Sequence, residues 1–376
     1  MTSKQRVNAA LNHKDADRVP ISLGSSIVDG FTLYAKDNYE KYLGHELSIP
    51  IITHKPMGTV VTPEKIYALS QSDFRTVRLK APWNNSVTEY ADGSYLDDFG
   101  VRMKPCRYYY DAVTRPLAGD ITKKDILNCA WPDPYAPGRA DGLREEASTL
   151  AEDTDYAVVA DIMCGGPFEQ SLWLRGWEDF LSDLYTEPAL AEALMDRITE
   201  LDIQLWGVFL EAAGDYVDVA CQGDDLAMQD RPVVSPEMYN KYIKKYHKRI
   251  YDFIKSKTKA KIFHHCCGSV YSLIPGLLEA GIDILNPVQT SAKNMEPEKL
   301  KSEFGNDLVF WGGLDTQKIL PYGSPSDVEA EVNRLMETLG RGGGYVFAPG
   351  HNIQDLVPPD NIDAMLRSAG KYRTLK

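Results

Sequence analysis

The sequence is short of basic charge: 41 Lys and Arg stand against 54 Asp and Glu, a net −13 at pH 7. An acidic surface repels phosphate backbones, so nucleic acid is not an expected partner. No apolar run is long enough to cross a bilayer, so no membrane association is expected. The opening Met1-Thr2-Ser3-Lys4-Gln5-Arg6 lacks the apolar core of a secretory signal, and a cytoplasmic protein is expected. Cysteine is sparse. Cys106, Cys129, Cys164, Cys221, Cys266 and Cys267 are scattered rather than spaced as a disulfide framework, so they read as reduced thiols. No Gly-x-Gly-x-x-Gly follows the first strand, and Arg341-Gly342-Gly343-Gly344 precedes a strand, the wrong side for a phosphate cradle. No linker rich in Gly, Ser or Pro divides the chain, so a single domain over 1–376 is expected.

What is present is an alternation. Strand-like runs fall at Tyr156–Ile162, Tyr216–Ala220, Ala260–His265, Ile282–Leu285, Leu308–Trp311 and Tyr345–Ala348. Helical patterns lie between them, at 168–185, 188–213, 236–257, 270–279, 296–304 and 325–340. Apolar strands separated by helices indicate a parallel sheet covered on both faces. With earlier units near residues 18–23, the pattern predicts a (β/α)8 TIM barrel, an α/β fold. Residues 50–130 break the rhythm and read as an insertion or cap. Within it, Val87–Tyr90, an Asp92-Gly93 turn and Tyr95–Val101 predict a β-hairpin.

In such a barrel chemistry collects where strands end. The richest end is Phe263-His264-His265-Cys266-Cys267-Gly268. A strand's side-chain period is two, so His265 and Cys267 leave one face together while His264 and Cys266 leave the other. Imidazole and thiolate suit Zn²⁺, and a catalytic zinc site takes three protein ligands and one open position. His351, after the last strand, is the natural third ligand; Cys164 and Cys221, at other strand ends, are alternatives, and Glu169 is a further candidate. Asp225, Glu169 or Asn286 can orient the ligands from behind. Asp225, Asn286, Gln289, Asp315 and Tyr345 are candidates to hold the substrate.

Several segments resemble the uroporphyrinogen decarboxylase-like superfamily: Arg6–His13 followed by Asp17-Arg18-Val19-Pro20, then Gly223-Asp224-Asp225-Leu226, Val234–Tyr239 and Trp311-Gly312-Gly313-Leu314-Asp315. The resemblance covers nearly the whole chain and implies the barrel. His265-Cys266-Cys267-Gly268 is similar to the His-x-Cys-Gly of its zinc-dependent corrinoid methyltransferase branch, such as methylcobamide:coenzyme M methyltransferases. Ala348-Pro349-Gly350-His351 departs from that branch by carrying His where it has Cys. The resemblance implies a Zn²⁺ methyltransferase moving a methyl group between a small methylated substrate, a methoxy compound or a thiol, and cobalt. No Asp-x-His-x-x-Gly corrinoid signature is present, so the corrinoid is expected on a separate partner protein; a homodimer is compatible with the sequence. The alternative within the superfamily is a decarboxylase of a porphyrinogen or another acid. Residues 23–30 lack the arginines of that branch's substrate loop.

Overall fold

The structure, a computed structural model, describes residues 1–84, 87–107 and 109–371. Its frame is a curled sheet of seven parallel strands: β1 (Phe74–Val77), β2 (Ala157–Ala160), β3 (Val219–Gly223), β4 (Lys261–His265), β5 (Ile284–Asn286), β6 (Val309–Leu314) and β7 (Tyr345–Pro349). Each strand pairs with the next in chain order, and helices fill the crossovers. This is mixed α/β architecture of the TIM-barrel kind. Residues 20–22 touch both edges of the sheet. Ser22 N–H donates to Phe347 O at 2.8 Å and Phe347 N–H to Pro20 O at 2.9 Å, while Asp73 N–H donates to Ile21 O at 2.9 Å.

Two apolar layers follow from the period of two. Phe74, Ala157, Val159, Val219, Phe263, Ile284, Val309, Trp311, Val346 and Ala348 form one buried cluster inside the curl. Alternate residues such as Val77, Val158, Ala160, Ile262 and Leu285 belong to a second cluster with the surrounding helices. The N-terminal helix Ser3–Leu11, held by a Thr2–Gln5 capping box, sends Val7 and Leu11 into the inner cluster. Buried Asp73 anchors that end: it pairs with Arg6 at 2.6 Å and Arg18 at 2.7 Å, and accepts the Ile21 N–H at 2.9 Å.

The six predicted strands are all present, with ends shifted by up to three residues. Several helical patterns differ from expectation. The run 168–185 is two helices, Pro167–Arg175 and Trp177–Thr186, because Gly176 takes φ +97°, outside the right-handed helical region. The run 236–257 begins with a short turn and a π-type turn, Tyr239–Ile243, before Lys244–Lys257. Pro359–Lys371 is a helix that the pattern reading does not contain.

The region expected to be an insertion needs a correction. It contains β1, a strand of the parallel sheet itself. Its pattern escapes notice because Arg75 is buried rather than exposed: the guanidinium stacks on Tyr67 and Tyr156, 4.0 and 3.7 Å from the ring centroids, and pairs with Glu64. Around β1 the chain forms a short antiparallel pair, Ile52–His54 with Thr59–Val60, and a three-stranded sheet of Tyr95–Leu96, Arg102–Pro105 and Tyr110–Thr114. At the expected hairpin, Glu89 and Tyr95 make one isolated antiparallel bridge.

Candidate metal centre

Strand β4 divides its two histidines as its period requires. Phe263 points into the inner cluster, and His265 follows it on that face. His264 points the other way, among the helices, where Nδ1 meets Tyr251 OH at 2.8 Å. After β4 the chain turns at Gly268. Its φ is +89°, and a Cβ there would lie 2.5 Å from Met228 O, so only glycine fits. That turn leaves Cys267 beside His265, with Sγ 3.4 Å from Nε2. His351 arrives two residues past β7, its ring centroid 5.6 Å from that of His265. One ligand atom from each of His265, Cys267 and His351 lies within 4.8 Å of the others. Tetrahedral Zn–N and Zn–S bonds of about 2.0 and 2.3 Å put neighbouring ligand atoms roughly 3.5 Å apart, so the His265–Cys267 edge, at 3.4 Å, fits directly, and His351 completes the triangle within 4.8 Å.

The groups behind these three define their chemistry. His265 Nδ1 lies 2.6 Å from Asn286 Oδ1, and Asn286 Nδ2 donates to Trp311 O at 3.2 Å. The second bond fixes which end of the amide is oxygen, so Nδ1 carries the proton and Nε2 offers its lone pair toward Cys267. Asp225 Oδ1 accepts the Cys267 N–H at 2.7 Å, and Gln289 Oε1 accepts the Gly268 N–H at 2.7 Å. Gln289 Nε2 in turn donates to Gln229 at 3.0 Å. Asp225, Asn286 and Gln289, candidates to hold a substrate, thus bond the ligands and their turn; for Asp225 and Asn286 the sequence admits this orienting role as well.

Tyr345 is a correction. It is the first residue of β7, whereas the site gathers beyond the strands' last residues. Its hydroxyl donates to Gly312 O at 2.7 Å, and it packs with Leu335 in the outer layer. Cys164 packs with Leu201 and Leu205, and Cys221 lies in the inner core; neither joins the three-residue group, nor does Glu169. Asp315 accepts from the backbone N–H groups of Gln317 and Lys318 and caps its own turn.

Burial dominates the electrostatics. It lowers the pKa of His351 to about 3, with His265 adding to the effect, and pushes the Cys267 thiol well up, with Asp225 adding to it. The Asp225 carboxyl is raised by burial although His265 opposes the shift. Glu169 is raised by burial and then by Asp225 and Asp224. A neutral imidazole is the form that ligates a metal. A nearby dication offsets the burial penalty on the thiolate, because it supplies the compensating charge. The donor set therefore fits a Zn²⁺ ion.

Asp224 takes no part in the cluster. It caps the helix Pro167–Arg175 through the N–H groups of Phe168 and Glu169, at 3.0 and 2.6 Å, and pairs with His247 at 2.7 Å. Arg78 and Asp161, absent from the residues expected at the strand ends, pair at 3.1 Å just past β1 and β2. Recognising Phe74–Val77 as a strand is the signal that finds Arg78, since alternation then turns it inward.

The comparisons with known proteins agree with this architecture. A methylcobamide:CoM methyltransferase, MtbA, of Methanosarcina mazei is 24% identical over 242 residues, 63% of this chain and 65% of the relative. The match thus spans just under two thirds of that methyltransferase. A uroporphyrinogen decarboxylase of Geobacter sulfurreducens is 22% identical over 253 residues, 66% of this chain and 68% of the relative. A solved methyltransferase from Methanosarcina mazei superposes with a TM-score of 0.66 at 19% identity, covering 99% of both chains, and shows the same fold. Among the described residues no helix is long and apolar enough to cross a membrane. The uroporphyrinogen decarboxylase (URO-D) family profile matches residues 103–372, well over half of the sequence, and the chain belongs to that family.

Proposed function

We propose that this protein is a Zn²⁺-dependent methyltransferase. It moves a methyl group between a small methylated substrate, a methoxy compound or a thiol, and the cobalt of a separate corrinoid protein. The supporting observation is the convergence of His265, Cys267 and His351 within 4.8 Å, with the His265 tautomer set by Asn286. On this reading the chain is one domain, a (β/α)8 barrel in which residues 20–22 serve as the eighth strand, and parts of residues 50–130 cap its mouth. Methyltransferases stand beside decarboxylases among the relatives, and the three-residue cluster supports the methyltransferase reading. Residues 23–30 carry no arginine to meet a polycarboxylate.

Bound by the three side chains, Zn²⁺ supplies Lewis acidity to the substrate's oxygen or sulfur. The chain's own contribution is placement. Asn286 holds His265 in one tautomer and orientation, and Asp225 and Gln289 hold the Cys267–Gly268 turn. A His₂Cys set donates less electron density than one with two thiolates, which favours activation of an ether oxygen. The test has two parts. Zinc content measured on wild type and Cys267→Ala is expected near one ion per chain and near zero. An anaerobic assay with a partner corrinoid protein and a panel of methylated substrates is expected to change the cobalt absorbance spectrum. Equal zinc in both proteins, or turnover of uroporphyrinogen without metal, overturns the reading.

A further inference from the structure

His351 owes its place to contacts from the opposite end of the chain. It lies in the loop after β7, half-buried, between two backbone anchors. On one side Gly350 N–H donates to the carbonyl of Leu314, the last residue of β6, at 2.8 Å. On the other side Ile353 forms a parallel bridge with Phe31: its N–H donates to Gly30 O at 2.8 Å, and its carbonyl accepts the Thr32 N–H at 3.1 Å. Asn352, 1% exposed, turns its side chain onto the same segment. Its Oδ1 accepts the Gly30 N–H at 2.9 Å, and its Nδ2 donates to Ile27 O at 2.8 Å. Both partners are backbone groups with a single role each, so the orientation of the amide is fixed.

The segment that Asn352 grips is itself held from several sides. Tyr67 OH donates to Gly24 O at 2.9 Å and Thr76 Oγ1 to Ser25 O at 2.7 Å. Asp161 Oδ1 accepts Ser26 Oγ at 2.8 Å and the Ile27 N–H at 3.1 Å. Asp29 folds the turn on itself: its Oδ1 accepts the Ser26 N–H at 2.8 Å, and its carbonyl accepts the Gly24 N–H at 2.9 Å. A loop without regular structure keeps one shape when its backbone groups are paired in this way. Asn352 bonds that loop at two points, Ile27 and Gly30, and is the chain neighbour of His351. A shift of residues 27–30 therefore carries the His351 backbone with it. His265 and Cys267 are held separately, by Asn286 and Asp225. The three donors meet only while the N-terminal loop and β4 keep their relation.

We propose that Asn352 is the positioning residue of the third metal ligand, and that through it metal binding at His265, Cys267 and His351 is coupled to the order of residues 24–32. The inference rests on the metal-centred reading above. Coupling is reciprocal: if the ordered loop strengthens the site, the bound ion orders the loop by the same factor. Two measurements on the full chain test the two directions. The first is zinc competition with Asn352→Ala, Asn352→Asp and His351→Ala, repeated with Co²⁺ as a spectroscopic substitute. Asn352→Ala is expected to weaken zinc binding by about tenfold or more. Its cobalt spectrum is expected to match that of His351→Ala, with the thiolate charge-transfer band kept by Cys267 and the ligand-field bands changed. Asn352→Asp keeps the acceptor for Gly30 N–H and loses the donor to Ile27 O, so it is expected to keep part of the affinity. A residue that served only the fold would lower the urea midpoint and leave the zinc Kd and cobalt spectrum of the folded variant as in wild type; that result overturns the proposal. The second measurement is hydrogen exchange on the wild-type protein, chelator-stripped and zinc-loaded, and it decides the matter if the variants do not fold. Amides of residues 24–32 are expected to exchange about fivefold or more slowly with zinc, beyond any change in the helix Pro325–Gly340. Equal exchange overturns the proposal. In either overturning case, zinc held by wild type and lost from Cys267→Ala leaves the metal centre standing. Wild type that holds no zinc, or a zinc affinity that survives His351→Ala, overturns the three-ligand reading along with the proposal.

Discussion

The Asn286–His265 bond is the sharpest place to perturb this site. Asn286 is 1% exposed, and its Oδ1 receives His265 Nδ1–H at 2.6 Å. Asn286→Ala removes that acceptor and leaves a buried ring N–H without a partner. It also frees the ring to turn or to take the other tautomer, which moves the lone pair away from Cys267. A buried donor left unsatisfied costs about 1–3 kcal/mol. Loss of an outer partner of a ligating histidine lowers metal affinity by about 10–100-fold, or roughly 1.4–2.7 kcal/mol, and the two ranges agree. Asn286→Asp keeps the acceptor toward His265 and adds negative charge while giving up the Nδ2 donor to Trp311 O, so it should hold zinc more tightly than Asn286→Ala. The assay is zinc competition against a chromophoric chelator at fixed pH, with circular dichroism to show that each variant is folded. A folded Asn286→Ala protein whose zinc Kd is unchanged would refute the reasoning, because His265 would then need no orientation from this bond.

Two further predictions concern the frame. Asp73→Ala strips the buried partner from both Arg6 and Arg18, each under 10% exposed, and from the Ile21 N–H. Breaking a buried pair this way costs about 3–5 kcal/mol, read as a fall in urea midpoint at constant m value; a change under about 1 kcal/mol contradicts the anchoring role. Asp29 is fully buried, and burial raises its pKa to about 6, above an unfolded value near 3.8. The folded state therefore binds the extra proton between these values. The associated stability is fully present below about pH 3.8 and is lost as pH rises through 6. Asp29→Asn should remove that slope, worth about 3 kcal/mol, from the stability–pH curve; an unchanged slope refutes the assignment.

Much of the site was legible because strand geometry is local. That His265 and Cys267 share a face, while His264 and Cys266 do not, follows from backbone alternation and needs no long-range contact. The Gly268 turn belongs to the same short segment. The strand–helix rhythm from Tyr156 onward was legible for a related reason: each unit buries its own apolar stripe. Phe74–Val77 was not, since Arg75 reads as a solvent-facing charge until Tyr67, Tyr156 and Glu64 surround it. Arg78 was lost with the strand that carries it.

What the chain alone determined is the shared face of His265 and Cys267 and the class of sheet on which they stand, since both depend on covalent geometry and on which residues avoid water. What only the folded molecule decided is the company those side chains keep. His351 meets them because the sheet curls until β7 stands near β4. Asn286 turns out to steer an imidazole because β5 lies in register with β4, pairing it with His265. Tyr345, on the same strand as the approach to His351, ends in the outer packing because side-chain direction and strand end, rather than proximity in sequence, set what reaches the mouth.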